Sequence, residues 1–312
     1  MIATVTLNPS LDEWMELPSL RVGALNRAVG SARYPGGKGI NVARVLHELG
    51  ERAVAFGLAG GEDGRILRAL LHRLAIRQEF VTVRGSTRNN YKIRTVHPLA
   101  LTEINTDGPA VSGEVLQSIE RRLIAHRRRL RVVVLSGSLP PGAPRTIYHR
   151  WIIRLRRFRI PTVLDTSGPA LRHGVAARPW MIKPNRQEAE ELLQTSLTNI
   201  SRVALAARRL LRRGPAVVIL SLGREGALLA SSTPSGCWLA RAPRVRVQSS
   251  VGAGDSLVGG FVAGWVRGRS LLEAFQLGVA CGTATAMTPG TELCHRVDVR
   301  RLLSRVAIRR ID

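Results

Sequence analysis

Residues 249–260, SSVGAGDSLVGG, place a carboxylate, Asp255, directly after three small residues, Gly252, Ala253 and Gly254. An apolar run that predicts a helix follows at once. The first N–H groups of a helix lack intrahelical acceptors and the helix dipole favours negative charge, so such a turn attracts anions. A carboxylate at the lip of an anion site opposes simple anion binding. It has a use if it takes the proton of a hydroxyl that attacks the bound anion, as phosphoryl transfer to an alcohol requires. An Asp-capped helix after a glycine turn accounts equally well for this segment alone.

Other segments carry weaker signals of the same kind. Pro35–Arg44, PGGKGINVAR, is a second glycine cluster opening a helix, with the Asn41 amide in its first turn. It is not a P-loop, because Lys38 is followed by Gly39 and not by Ser or Thr; a tight strand-to-helix turn accounts for it equally well. Asn8–Asp12, NPSLD, follows the first predicted strand, where open α/β sheets bind ligands. Asp12 suits either sugar hydroxyls or a turn. SGSLPPG (136–142), which contains Ser138, and DTSG (165–168) end strands with small polar residues and fit the same edge. In KPNRQE (183–188), Asn185 and Glu188 suit a hydrated magnesium ion. They also match a helix capping box, which the local pattern favours. SLGREG (221–226) reads as a phosphate-holding turn or as a hairpin. Gly252-x-Gly254 has Leu257 where a dinucleotide fingerprint needs glycine, and the histidines form no metal-like pair.

The elements that must position these residues read as an alternation of apolar strands and amphipathic helices, the mark of an α/β, doubly wound, mostly parallel sheet. Predicted strands are Ile2–Leu7, Ala53–Leu58, Val132–Leu135, Thr162–Leu164, Met181–Ile182 and Ala216–Leu220. Predicted helices are Ile40–Leu49, Arg65–Leu74, Glu114–Arg128, Arg145–Arg156, Gln187–Gln194, Val203–Arg212, Ser256–Val266 and Leu271–Met287. Two stretches break the rhythm, about 12–31 and about 84–105, with strands and no intervening helix. They predict a small β-sheet lid on a single domain spanning 1–312.

The chain has 312 residues and a formal charge of +25, with only three lysines, Lys38, Lys92 and Lys183, among 47 basic residues. The arginines are scattered over many elements and are not interleaved with aromatics, so solvated helix faces explain them better than a nucleic-acid surface does. Cys237, Cys281 and Cys294 are far apart, which predicts neither a disulfide framework nor a zinc site and fits the cytoplasm. No apolar stretch is long enough for a transmembrane helix, and the N-terminus reads as a first strand, not a signal peptide.

Taken in order, NPSLD, GGKGINVAR, SGSLPPG, DTSG, KPNRQE, SLGREGA and VGAGDS resemble the PfkB, ribokinase-like sugar kinases over nearly the whole chain. TLNPSLD, TRNN (87–90), TEIN (102–105) and the complete SGSLPPG resemble the fructose-phosphate branch. GGKG and TEIN are similar to 1-phosphofructokinase and tagatose-6-phosphate kinase. TRNN, VQSSVGAGDS and GTELC (290–294) are similar to the minor 6-phosphofructokinase, which has GGGG where Lys38 stands here.

The resemblance implies an ATP-dependent kinase of a ketohexose phosphate, with Asp255 as general base and the N–H groups of Gly252, Ala253 and Gly254 as an anion hole. It places Asp12, Gly37, Asn41 and Ser138 on the sugar, and Arg27, Arg88 and Lys38 near the substrate's own phosphate. The nucleotide side would hold Lys183, Asn185, Ser221, Gly223, Gly226 and Ser249, with Glu188 on Mg2+. A homodimer joined through lid strands is also implied. A non-catalytic sugar-phosphate sensor and a nucleic-acid binder on the same scaffold are the rival readings.

Overall fold

The computed structural model describes residues 1–311. The chain starts in β1 (Ile2–Thr6), which is buried throughout, as a strand covered on both faces must be. It leaves the main sheet for β2 (Ser10–Leu17) and β3 (Gly30–Gly36), then returns through α1 (Lys38–Glu48) to β4 (Ala53–Gly60). α2 (Gly61–Arg73) leads to β5 (Arg77–Val83), and a second excursion gives β6 (Arg88–Thr95) and β7 (Ala100–Asn105). Helix and strand then alternate through α3 (Gly113–Ala125), β8 (Val132–Ser136), α4 (Ile147–Arg157), β9 (Thr162–Asp165), α5 (Gly168–Ala176) and β10 (Met181–Ile182). α6 (Arg186–Leu193) and α7 (Ile200–Arg212) precede β11 (Val217–Ser221). The C-terminal part holds β12 (Ala227–Ser232), β13 (Ser235–Arg241), α8 (Ala253–Val266), α9 (Leu271–Ala286), α10 (Arg296–Leu303) and β14 (Ala307–Ile311).

The large sheet has ten strands in the order β14-β13-β12-β11-β10-β9-β8-β1-β4-β5. Neighbours from β5 to β11 are parallel, while β11 to β14 are antiparallel. Alternate residues of each strand feed two cores. Val133 and Leu135 pack with α3, α4, α5, α6 and α7, whereas Val132 and Val134 pack with α1, α8, α9 and α10. The carboxyl ends of the parallel strands therefore share one open edge, where crossover loops can gather polar groups. β2, β3, β6 and β7 form a separate four-stranded sheet in the order β3-β2-β6-β7.

The helix that carries Asp255 is held unusually close to its neighbour. A Cβ on Gly260 would lie 2.6 Å from Cys281 Sγ and 2.9 Å from Gly278 Cα, and one on Gly278 would lie 2.7 Å from Leu257 O. Glycine on both helices lets the α8 and α9 backbones touch, so the turn opening α8 stands on a rigid pair.

The mostly parallel sheet matches the sequence expectation, with differences at its edges. β5, β13 and β14 were not predicted as strands. β14 is an edge strand whose Arg309 and Arg310 are exposed, so its arginine-rich sequence lacks the apolar signal of an interior strand. Asp12, for which a turn is one of two sequence readings, lies within β2 and is paired in register with Tyr34 and Asn90. Among the described residues no helix is long and apolar enough to cross a membrane.

Candidate active site

The turn before α8 has the geometry its composition suggests. Gly252 sits at φ 78°, in the left-handed region that favours glycine, and occupies the N-cap position. Ser256 N–H closes the first helical bond to Gly252 O at 2.8 Å. The N–H groups of Gly254 and Asp255 have no acceptor among the described residues, nor does that of Gly252. Ala253 N–H differs, because it reaches Ser250 O at 3.3 Å. The available anion donors are thus Gly252, Gly254 and Asp255, and Ala253 is partly committed to the turn itself.

Asp255 is 7% exposed and takes a hydrogen bond from Asn41 Nδ2 at 2.8 Å. Asn41 lies in the first turn of α1, so the positive ends of α1 and α8 adjoin across this contact. α1 opens on Gly37, at φ 117°, with Lys38 as its first residue. Lys38 Nζ lies 2.9 Å from Asp165 Oδ1, and Lys183 Nζ lies 3.4 Å from the same oxygen. Lys183 is 4% exposed, and a Cβ on Gly254 would approach its Nζ to 3.4 Å. Two ammonium groups and two carboxylates thus converge at the carboxyl edge of β9 and the mouth of α8.

The two carboxylates are treated differently. Burial acts to raise the pKa of Asp165, but the adjacent Lys183 and Lys38 overcome it and hold the group below the ordinary carboxylate range. Burial also dominates at Asp255, and there it wins. Aided by the charge of Asp165 and opposed by Lys38, Asn41 and Lys183, it pushes Asp255 up to about 6. Paired carboxyl groups whose environments drive their acidities apart are a common way to keep one ionised and the other ready to exchange a proton near neutral pH.

A second polar cluster faces the first from the small sheet. Asp12 is 5% exposed, and its Oδ1 accepts from Ser10 Oγ at 2.9 Å and from Asn90 Nδ2 at 3.4 Å. Burial, partly offset by Lys92, raises its pKa. Arg88 donates to Asn8 O at 3.1 Å and to Thr106 O at 3.2 Å, and its Nε is buried without a partner. Asn8 Nδ2 in turn donates to Ser138 Oγ at 3.2 Å. Arg88, Asn8 and Ser138 therefore join the small sheet to the end of β8.

On the other flank, Asn185 and Glu188 form the capping box of α6, with Asn185 N–H to Glu188 Oε2 and Glu188 N–H to Asn185 Oδ1 both at 2.8 Å. Asn185 bridges to Ser221 at the end of β11, and Gly223 is exposed at φ 61° in a short 3-10 turn. The turn leads into an antiparallel hairpin with β12, one of the two forms the sequence allowed. Gly226 has a packing explanation instead of a ligand-facing one. Its N–H is bonded to Gly223 O, its carbonyl accepts from Leu222, and a Cβ there would collide with Ala240 O. Ser249 is 6% exposed and spends its hydroxyl on Val251 N–H. Arg27 stands apart in the exposed segment 18–29 and has no hydrogen bond or ion pair among the described residues.

The pfkB family carbohydrate kinase profile matches residues 5–297. The chain belongs to that family. It is 36% identical over 311 residues to the 1-phosphofructokinase of Bacillus subtilis (strain 168), covering 100% of both chains. It is 36% identical over 308 residues to the ATP-dependent 6-phosphofructokinase isozyme 2 of Mycobacterium tuberculosis (strain ATCC 25618 / H37Rv), covering 98% of this chain and 90% of that one. The solved phosphofructokinase-2 from Escherichia coli in complex with substrates and products superposes with a TM-score of 0.91 at 31% identity, covering 98% of this chain and 99% of that one.

Around the candidate site of this pfkB-family chain lie residues that the sequence did not point to. Asp165 was visible as the start of DTSG, but its pairing with a lysine 127 positions away is a tertiary fact. Lys38, expected near the substrate phosphate, is also engaged by Asp165, a fully buried carboxylate that its ammonium neutralises. Arg44, the last residue of GGKGINVAR, reaches Asn41.

Proposed function

We propose that this chain is an ATP-dependent kinase that converts a fructose phosphate to the bisphosphate. The observation that carries the reading is Asp255, buried and raised to about 6, next to the unpartnered N–H groups of Gly254 and of Asp255 itself. A sugar hydroxyl oxygen attacks the γ-phosphorus of ATP, the bond from that phosphorus to the bridging oxygen of ADP breaks, and the hydroxyl proton passes to the Asp255 carboxylate. The free N–H groups at the head of α8, with Lys183 and Lys38 beside them, bind the charge that develops on the transferring group.

Asp12 and Asn41 hold sugar hydroxyls, with Gly37 allowing close approach of the backbone. Arg88, with donors to spare beyond its two carbonyl partners, takes the phosphate already on the substrate. Lys183, Asn185, Ser221 and Gly223 line the nucleotide. Mg2+ keeps several of its waters and is commonly held by one or two carboxylates together with the substrate's phosphates. Asp165 Oδ2, buried without a partner, and Glu188, beside Lys38, are the groups that would hold Mg2+, which supplies charge neutralisation on the phosphates. The small sheet acts as a lid that excludes water from the reacting phosphate. Leu101 and Ile104 are exposed on β7, the edge strand of this sheet, which supports pairing of two copies through it.

A coupled ADP-release assay across fructose 6-phosphate, fructose 1-phosphate, tagatose 6-phosphate and ribose tests the proposal. The expected result is the highest kcat/KM with one of the two fructose phosphates. Preference for ribose, or no ADP release with any sugar, would overturn it.

A further inference from the structure

Arg44 lies one turn beyond Asn41 in α1, half-buried between three segments that surround the site. Its Nη1 is 3.3 Å from Asn41 Oδ1, 3.4 Å from Pro35 O in β3 and 3.4 Å from Thr291 O after α9. Burial works against its charge, and the groups that offset this are Asp12 from β2, Tyr34 from β3, and Glu292 and Cys294 from the segment after α9. An arginine kept in such a place at a desolvation cost needs an account beyond the surface bias that explains most of its kind in this chain.

We propose that Arg44 is a positioning residue: it fixes which way the Asn41 amide points, and through that amide it holds the Asp255 carboxylate. An amide has a negative end and a positive end. Asn41 presents Oδ1 to the Arg44 guanidinium and Nδ2 to Asp255 Oδ2. The reversed amide would set N–H against N–H at Arg44 and oxygen against carboxylate at Asp255, so both contacts oppose it. Once Asp255 has taken a proton, its own hold on Nδ2 weakens, because a neutral carboxyl is a poorer acceptor. The charge of Arg44 does not change during turnover, so it keeps the amide in register for the next cycle. Its bonds to Pro35 O and Thr291 O tie the same point to the small sheet and to the segment that packs over Gly252 through Leu293.

The inference rests on the reading of Asp255 as base. Its test uses the full-length protein with the better fructose phosphate and two readouts, steady-state kinetics and the carboxyl 13C titration of Asp255. The other charged groups around that carboxylate, Lys38 on α1, Asp165 on β9 and Lys183 after β10, are unchanged in all variants. Arg44→Met is expected to lower kcat by about 10-fold or more, the low end for loss of a hydrogen bond to a charged group. It should raise the Asp255 titration by about one unit while KM for ATP stays nearly constant. Arg44→Lys, which keeps the charge, should recover part of both losses. In an Asn41→Ala background, Arg44→Met should add no further shift, because the path through the amide is already cut.

If Arg44→Met does not fold, Arg44→Lys and Asn41→Ala still decide the matter. An Asp255 titration unmoved in Asn41→Ala, or an Arg44 effect of equal size with and without Asn41, would overturn the proposal. Full turnover in Asp255→Asn would instead remove the reading of the base on which it rests.

Discussion

Two positively charged regions of the molecule are built in opposite ways. At the carboxyl edge of the sheet, Lys38 and Lys183 converge on Asp165, which is fully buried, with Asp255 beside them. On the α3–α4 surface, Arg150, Arg154 and Arg157 line an open groove of about 630 Å³, with Glu120 as a counter-charge on its floor. Arg154 pairs with Glu120 at 3.3 Å but remains 53% exposed. In the first region Asp165 and Lys183 have given up water, and with Lys38 they depend on one another, so removing one leaves another stranded. In the second, solvent does most of the screening and single charges contribute little. The proposed chemistry draws on Lys38 and Lys183 beside Asp165, and none of it on the arginines of this groove.

The sharpest way to break this contrast is at Asp255. Asp255→Asn is expected to lower kcat by roughly 10²–10⁴-fold, the usual cost of a lost general base, while binding of the sugar phosphate and ATP, measured by calorimetry, persists. Near-normal turnover would end the distinction between the regions.

Asp165→Asn should act on stability as well as rate. It strands two ammonium groups, and the cost should be about 3 kcal/mol, the low end for a broken buried pair because Lys38 is 36% exposed. Urea unfolding at neutral pH would read it, and a loss below about 0.5 kcal/mol, the range of surface changes, would show that the cluster is solvated after all.

Arg88→Ala should raise KM for the sugar phosphate by about 10–150-fold, the equivalent of a charge-assisted hydrogen bond of about 1.5–3 kcal/mol, with much less effect on KM for ATP. Equal effects on both substrates would place Arg88 away from the sugar. The smallest effect belongs to the surface. Replacing Arg150, Arg154 and Arg157 by Gln should leave kcat unchanged and stability within about 0.5 kcal/mol per site. Duplex DNA should bind no better than a non-specific Kd of about 10⁻⁴–10⁻⁶ M and lose affinity steeply with salt. Nanomolar, sequence-selective binding at physiological salt would give the arginine surface a function of its own.

The interior of the sheet was legible in the sequence because fully buried strands such as β1, β8 and β11 are short, continuous apolar runs. The α6 capping box was equally plain, since Asn185 and Glu188 carry it within four residues. The edges were not legible, because β14 reads as a charged segment and its pairing with β13 comes from the fold. At the site, Asp255 stands out in the sequence because of the glycine turn before it. Its partners were not, since the Asn41 contact spans 214 positions and the Asp165–Lys38 contact spans 127. Ala253 and Gly226 mark the converse limit. Small residues near a motif look like ligand contacts in a sequence, while here one serves its own turn and the other lets two strands meet.

The sign of the Asp255 shift gives the account a thermodynamic side. A carboxyl group raised in the folded state favours folding below its unfolded pKa, 3.8, and loses that contribution as pH rises through about 6. The most direct measurement is therefore the carboxyl 13C titration of Asp255 in the ligand-free protein, assigned by its absence from Asp255→Asn. A midpoint near 6 is predicted. A midpoint at the ordinary aspartate value of about 4 would mean that this carboxylate is as well solvated as any on the surface, and the separation of a reactive buried cluster from a passive charged exterior would fail.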